Sequence, residues 1–184
     1  PGLAHAAGDL LVAPTRLVLD GSRSTEVVLN NIGDAPATYR ISLEIKRMTE
    51  AGGLDEVATD AANATEQAAL SMISFSPRRV VLPPNQPQVI RVGVRIPEGM
   101  AAGEYRAHML FRAVPDVAPA TAAAAPGTGV SIALTPIYGI TIPVIVRVGD
   151  LTGDATIGDV AISRTGDETA LTLAMRRTGT RSVY

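Results

Sequence analysis

The sequence predicts an all-β protein built on an immunoglobulin-like sandwich, followed by the first hairpin of a second, incomplete sandwich. Three observations predict it: short apolar runs broken by turn residues along almost the whole chain, strict alternation of apolar and polar residues within several of those runs, and the lack of any long stretch with helical periodicity. The 184 residues include 46% hydrophobic and 18% charged side chains, enough to build a core.

The first elements follow from local pattern. Arg16-Leu17-Val18-Leu19 runs into the turn residues Asp20-Gly21-Ser22, and Thr25-Glu26-Val27-Val28-Leu29-Asn30 comes out of it, giving strand, turn and strand. After the loop Asn31-Ile32-Gly33-Asp34-Ala35-Pro36, Tyr39, Ile41, Leu43 and Ile45 alternate with Thr38, Arg40, Ser42 and Glu44, so one face is buried and the other wet. Residues 49–71 break the rhythm with Gly52-Gly53 and an alanine-rich run, and a short helix is expected near residues 60–70. Strands resume at 72–75, 79–82 and 88–96, separated by prolines; residues 104–114 form another, which Pro115 ends. Residues 116–129 are small and low in complexity, and a mobile loop is expected there.

Every even-numbered residue from 130 to 148 is apolar: Val130, Ile132, Leu134, Pro136, Tyr138, Ile140, Ile142, Val144, Val146 and Val148. Period two over nearly twenty residues is far longer than the usual strand of about five or six. Pro136, Gly139 and Pro143 point to an edge strand, because proline cannot donate to a ladder. Long apolar edges invite aggregation and proteins usually suppress them; here one is kept. Beyond the boundary-like residues 149–154, residues 157–163 and 169–175 flank Thr165-Gly166-Asp167 and read as one hairpin. The roughly 34 residues after 150 fall below the ~40 at which an isolated core is hard to sustain, so they are expected to open a second domain. The predicted organisation is a tail at 1–7, a first domain at 8–149 and the start of a second at 150–184. The tail's Ala4-His5-Ala6 reads either as the remnant of a secretory signal or as a short run of small residues.

Composition excludes several functions. Sixteen Lys and Arg against eighteen Asp and Glu leave a net charge of −2, no basis for an electrostatic nucleic-acid binder. Six aromatics and no Trp make a base-stacking platform improbable. No run of about 18 apolar residues is present, so no membrane insertion is expected. The absence of cysteine removes disulfides and thiolate ligands, and the two histidines, His5 and His108, offer little acid/base or metal chemistry. No nucleophile and base occur at workable spacing; His108, mid-strand between Ala107 and Met109, reads as a packed or surface histidine, and an enzyme is not expected. Asp150, Asp154 and Asp159 lack the register of a calcium loop and read as turn residues. Asn63-Ala64-Thr65 fits a glycosylation sequon short enough to arise by chance.

Taken in order, these segments resemble the PapD-like periplasmic chaperones of pilus and fimbria assembly. Thr15-Arg16-Leu17-Val18-Leu19-Asp20-Gly21-Ser22 is similar to that family's opening strand and turn, and Val28-Leu29-Asn30-Asn31 to its second strand. Residues 75–84 with Gln88-Val89-Ile90-Arg91-Val92 are similar to its P-x-x-x-x-L-x-P and Q-x-x-R block, and residues 104–115 to the penultimate strand of its first domain. The resemblance implies two angled sandwiches and a periplasmic chaperone whose partners are pilus or fimbrial subunits and an outer-membrane usher, with no cofactor. It also implies strand donation: residues 130–148 complete a subunit's unfinished sheet, with Val130, Ile132 and Leu134, and further along Tyr138 and Ile140, as plugs. Four or five such side chains contribute about 6–15 kcal/mol, against an association cost of about 4–15 kcal/mol, so binding would be useful yet reversible. Arg16 is implied as the anchor for the subunit's terminal carboxylate, which a guanidinium fork pairs bidentately. The family's second cation has no direct counterpart, since Pro143 or Thr141 stands at its place; either Arg147, Arg106 or Arg112 substitutes for it, or the subunit's terminus is held mainly by backbone contacts. Without a subunit, the exposed strand can pair with a second copy and form a dimer. The competing reading is a secreted immunoglobulin-like structural or adhesive module in which the long strand packs wholly within its own sheet.

Overall fold

The computed structural model describes residues 10–115 and 137–184. The expected tail, the loop at 116–129 and the strand positions Val130, Ile132, Leu134 and Pro136 lie outside the described residues.

The chain enters through β1 (Leu10–Ala13) and β2 (Leu17–Leu19), which belong to different sheets although only three residues separate them. One sheet has the order β1, β3 (Thr25–Asn31), β8 (Pro87–Val94), β6 (Ile73–Ser76), all antiparallel. The other runs β2, β10 (Gly139–Val148), β9 (Gly103–Val114), β4 (Ala37–Met48). The far edge of β4 is shared: β7 (Arg79–Leu82) pairs with its first residues and β5 (Leu54–Val57) with its last. This is the predicted immunoglobulin-like sandwich. Its core is the interface of the two layers, with Val27, Leu29, Ile90 and Val92 from one facing Tyr39, Met109, Phe111, Val144 and Val146 from the other, all 0–2% exposed.

The alternation read from sequence sets these faces. Tyr39, Ile41 and Ile45 are buried on β4 with Leu43 packed against them, and Tyr105, Ala107, Met109, Phe111 and Ala113 point inward from β9. Buried Asn31 ties one loop down: its Nδ2 donates to the carbonyls of Ala35 (2.7 Å) and Leu82 (2.9 Å), and its Oδ1 accepts from the Gly33 amide. The expected helix is α1 (Ala64–Met72), which buries Ala69 and Met72. It starts later than composition suggested because Asn63 caps it, its side chain accepting from the Glu66 amide at 2.9 Å while Glu66 accepts from the Asn63 amide at 2.8 Å. That reciprocal box leaves residues 59–61 as a separate 3-10 turn.

The edge-strand expectation for β10 needs correction. Among the described residues, 139–143 pair only with β9, but at Val144–Val146 β2 lies alongside in parallel, matching Val144, Ile145 and Val146 to Leu17, Val18 and Leu19. Among the described residues the strand is an edge up to Pro143 and interior at Val144–Val146, where every residue again has an N–H to give.

After Gly149, whose φ of +74° suits glycine, β11 (Gly153–Thr165) and β12 (Glu168–Gly179) form a separate two-stranded sheet turning at Gly166, somewhat longer than the expected hairpin. Its register places Ile157 opposite Met175 and Ile162 opposite Leu171. These four side chains share one face with Leu173, and all five are exposed.

Candidate functional site

Arg16 stands immediately before β2, the strand that pairs in parallel with Val144–Val146 of β10 on the side opposite β9. Leu17 and Leu19 turn into the core, 2% and 4% exposed, and anchor the segment from which the exposed Arg16 side chain projects. The Arg16 guanidinium carbon lies 3.9 Å from the centre of the Tyr184 ring. Among the described residues no carboxylate pairs with Arg16.

Arg147, near the end of β10, reaches the same ring. Its guanidinium carbon is 5.8 Å from the ring centre, and its Nη2 donates to the Tyr184 hydroxyl at 2.8 Å. The position follows from strand pairing, since Arg147 lies directly opposite Glu104 on β9 and its Nε donates to Glu104 Oε1 at 2.9 Å. Glu104 also binds the chain after β12: the Ser182 amide donates to Oε2 at 3.0 Å and the Ser182 hydroxyl to Oε1 at 2.9 Å. Burial pushes the Glu104 carboxyl up, but the Ser182 and Arg147 hydrogen bonds outweigh it and hold the group below the usual carboxylate range. Asp20, Ser22, Asp150, Leu151, Arg147 and Arg181 border an adjoining cleft of about 640 Å³.

Of the three candidate second cations, Arg147 is therefore the one brought beside Arg16. Arg106 lies 3.9 Å from Glu104. Arg112 sits eight residues along β9 from Glu104, about 26 Å at 3.3 Å per residue. There it borders a second cleft, of about 380 Å³, with Tyr138, Thr141 and Glu44.

The expected donated face divides in two. Val130, Ile132 and Leu134 lie outside the described residues. Tyr138 is exposed, and its carbonyl accepts from the Ala113 amide at 2.9 Å. Ile140, expected among the plugs, packs instead against the chain's own core, as do Ile142, Val144, Val146 and Val148 beyond it, because β10 from 140 onward supplies one layer of this sandwich. His108 is a packed histidine: it is 4% exposed, lies opposite Glu44 and Pro143, and its Nδ1 has no hydrogen-bond partner among the described residues. Burial, then Arg106, holds its pKa below the ordinary histidine value against the pull of Glu44. Asn63, the sequon asparagine, is occupied as a helix cap.

Sequence reasoning missed Glu104, Ser182 and Tyr184. The Glu104–Arg147 pair is visible only once β9 and β10 are set in register, and nothing local to 182–184 marks it as a neighbour of residue 16.

No protein-family model matches this chain, and no curated protein matches it in sequence. Solved structures do match. One is the chaperone–tip adhesin complex of CFA/I fimbriae biogenesis, 15% identical over 94% of this chain and 68% of that one, with a TM-score of 0.53. Another is the class 5 fimbriae chaperone CfaA, 15% identical over 93% and 67%, TM-score 0.51. A third is the Salmonella enterica SafA pilin in complex with the SafB chaperone, 14% identical over 88% and 66%, TM-score 0.52. The chain thus spans about two thirds of the length of the chains it matches. What is shared at this identity is the fold: the chain has the immunoglobulin-like sandwich architecture of the PapD-like fimbrial chaperones.

Proposed function

We propose that this chain is a periplasmic assembly chaperone that binds pilus or fimbrial subunits, completes their sheet with its own strand, and hands them to an outer-membrane usher. The observation that carries the reading is Arg16, exposed, unpaired with any carboxylate among the described residues, and next to Arg147, within a fold shared with fimbrial chaperones. The Arg16 guanidinium offers a planar N–H fork that suits a terminal carboxylate, and Arg147, whose Nε and Nη2 already donate to Glu104 and Tyr184, stands on the same ring. Among the described residues β10 has no second neighbour at 139–143, which supports strand donation, because a strand arriving at an unpaired edge keeps N–H and C=O groups available. With Ile140 and its successors committed to the chain's own core, the donated plugs are the even-numbered residues 130–138.

The hairpin β11/β12 fits the same reading as the opening of a second sandwich. A two-stranded sheet alone is marginal in water, and its apolar face calls for a covering layer.

The test is a pull-down of the tagged protein from its own periplasm, wild type beside Arg16→Ala and Ile132→Asp, with bound proteins identified by mass spectrometry. Pilin-like subunits bound to wild type and lost from both variants are expected. Identical background from all three would refute strand donation and favour the secreted structural module.

A further inference from the structure

Tyr184 touches both arginines, and it touches them differently. Its ring lies against the Arg16 guanidinium, and its hydroxyl accepts from Arg147 Nη2 at 2.8 Å. A guanidinium stacked on an aromatic ring is engaged through its face, and its N–H edge stays available to a carboxylate. The remaining Arg147 contacts fix that side chain as well, through Nε to Glu104 and a longer contact from Nη2 to the Ser182 carbonyl at 3.5 Å. Ser182 is itself tied to Glu104 by two hydrogen bonds, which hold the segment carrying Tyr184 against the sandwich. One aromatic side chain thus spans two long, rotamer-rich cations.

We propose that Tyr184 is a positioning residue for the carboxylate anchor: it stacks on Arg16 and hydrogen-bonds Arg147, so that both guanidinium groups are ordered before a ligand arrives. The proposal rests on the reading of Arg16 as anchor. Its physical content is preorganisation, since ordering Arg16 in advance removes part of the rotamer entropy that binding would otherwise cost. The alternative geometry, in which the phenol blocks the arginines, predicts the opposite sign for its removal.

The experiment uses the full chain and a fluorescein-labelled peptide of alternating valine and threonine, ending either in a free carboxylate or in an amide, with affinity read by fluorescence anisotropy. Wild type is expected to prefer the carboxylate form. Tyr184→Ala should shrink that preference by about two- to fivefold, the strength of an exposed cation–π contact, while Tyr184→Phe, which keeps the stack, should retain most of it. In parallel, the Arg16 Nε–Hε NMR signal should carry a ring-current shift that disappears in Tyr184→Ala and persists in Tyr184→Phe. An unchanged or enlarged preference in Tyr184→Ala, or an unmoved Arg16 signal, overturns the proposal. Arg16→Ala separates the two levels: if it abolishes the preference while Tyr184→Ala does not, only the positioning role falls. If Arg16→Ala leaves the preference intact, or neither peptide binds wild type, the anchor reading falls and takes the positioning role with it.

Discussion

Replacing Glu104 with glutamine keeps the shape of the side chain and removes its charge. The carboxylate accepts three hydrogen bonds, at 2.9 Å from Arg147 Nε and at 3.0 and 2.9 Å from the amide and hydroxyl of Ser182, and its side chain is 12% exposed. Hydrogen bonds to a charged group contribute about 1.5–3 kcal/mol each, and a glutamine retains one acceptor oxygen. The expected loss is therefore about 2 kcal/mol, or roughly 4–8 °C in Tm for a chain of this size. The pH dependence has a definite sign. The folded carboxyl lies below its ordinary value of 4.5, so its contribution is fully present above that value and disappears as pH falls through the folded one. Urea titrations followed by far-UV circular dichroism should show wild type more stable than Glu104→Gln at pH 7, with the gap closing toward pH 3. Equal stability at pH 7, or a gap that persists unchanged at pH 3, would show that Glu104 does not fasten residues 182–184 to the sandwich.

Two further outcomes test other parts of the structure. The pKa of His108 is held below 6.5, so the neutral form is favoured in the folded state and stability should fall as pH drops below about 6.5. His108→Leu should flatten that decline between pH 7.5 and 5.5 in urea titrations; a wild-type slope in the variant would contradict the buried, uncharged assignment. Asn63→Ala removes half of the capping box on α1 and should cost about 1 kcal/mol, with faster hydrogen exchange at the Glu66 amide. Unchanged exchange there would mean that the cap contributes nothing.

The strands were legible where one face is buried and one is wet. Residues 37–45 and 103–114 announce themselves by alternation, and the even-numbered face of 140–148 is indeed the inward one. Non-local pairing left no such trace. That β2 runs parallel to the end of β10, turning an expected edge into an interior strand, depends on residues more than a hundred positions apart. Ile145 shows the consequence: an odd-numbered residue on a strand with neighbours on both sides, it is 1% exposed where alternation alone predicts a wet position. At the site, Arg16 was reachable through the resemblance and Arg147 as one of three substitutes. Tyr184 was reachable through neither, because a cation–π contact between residues 16 and 184 has no sequence period to betray it.

Strand donation is tested most directly by the parity of residues 130–138. The chain has no cysteine, so single cysteines placed at each of these positions report cleanly on maleimide accessibility, in the free protein and in complex with a co-purified subunit. If the strand is lent to the subunit, the even-numbered positions become protected in the complex while the odd-numbered ones stay reactive, and all the even-numbered ones react in the free protein. Protection of the even-numbered positions already in the free protein, or no period-two pattern in the complex, would contradict it.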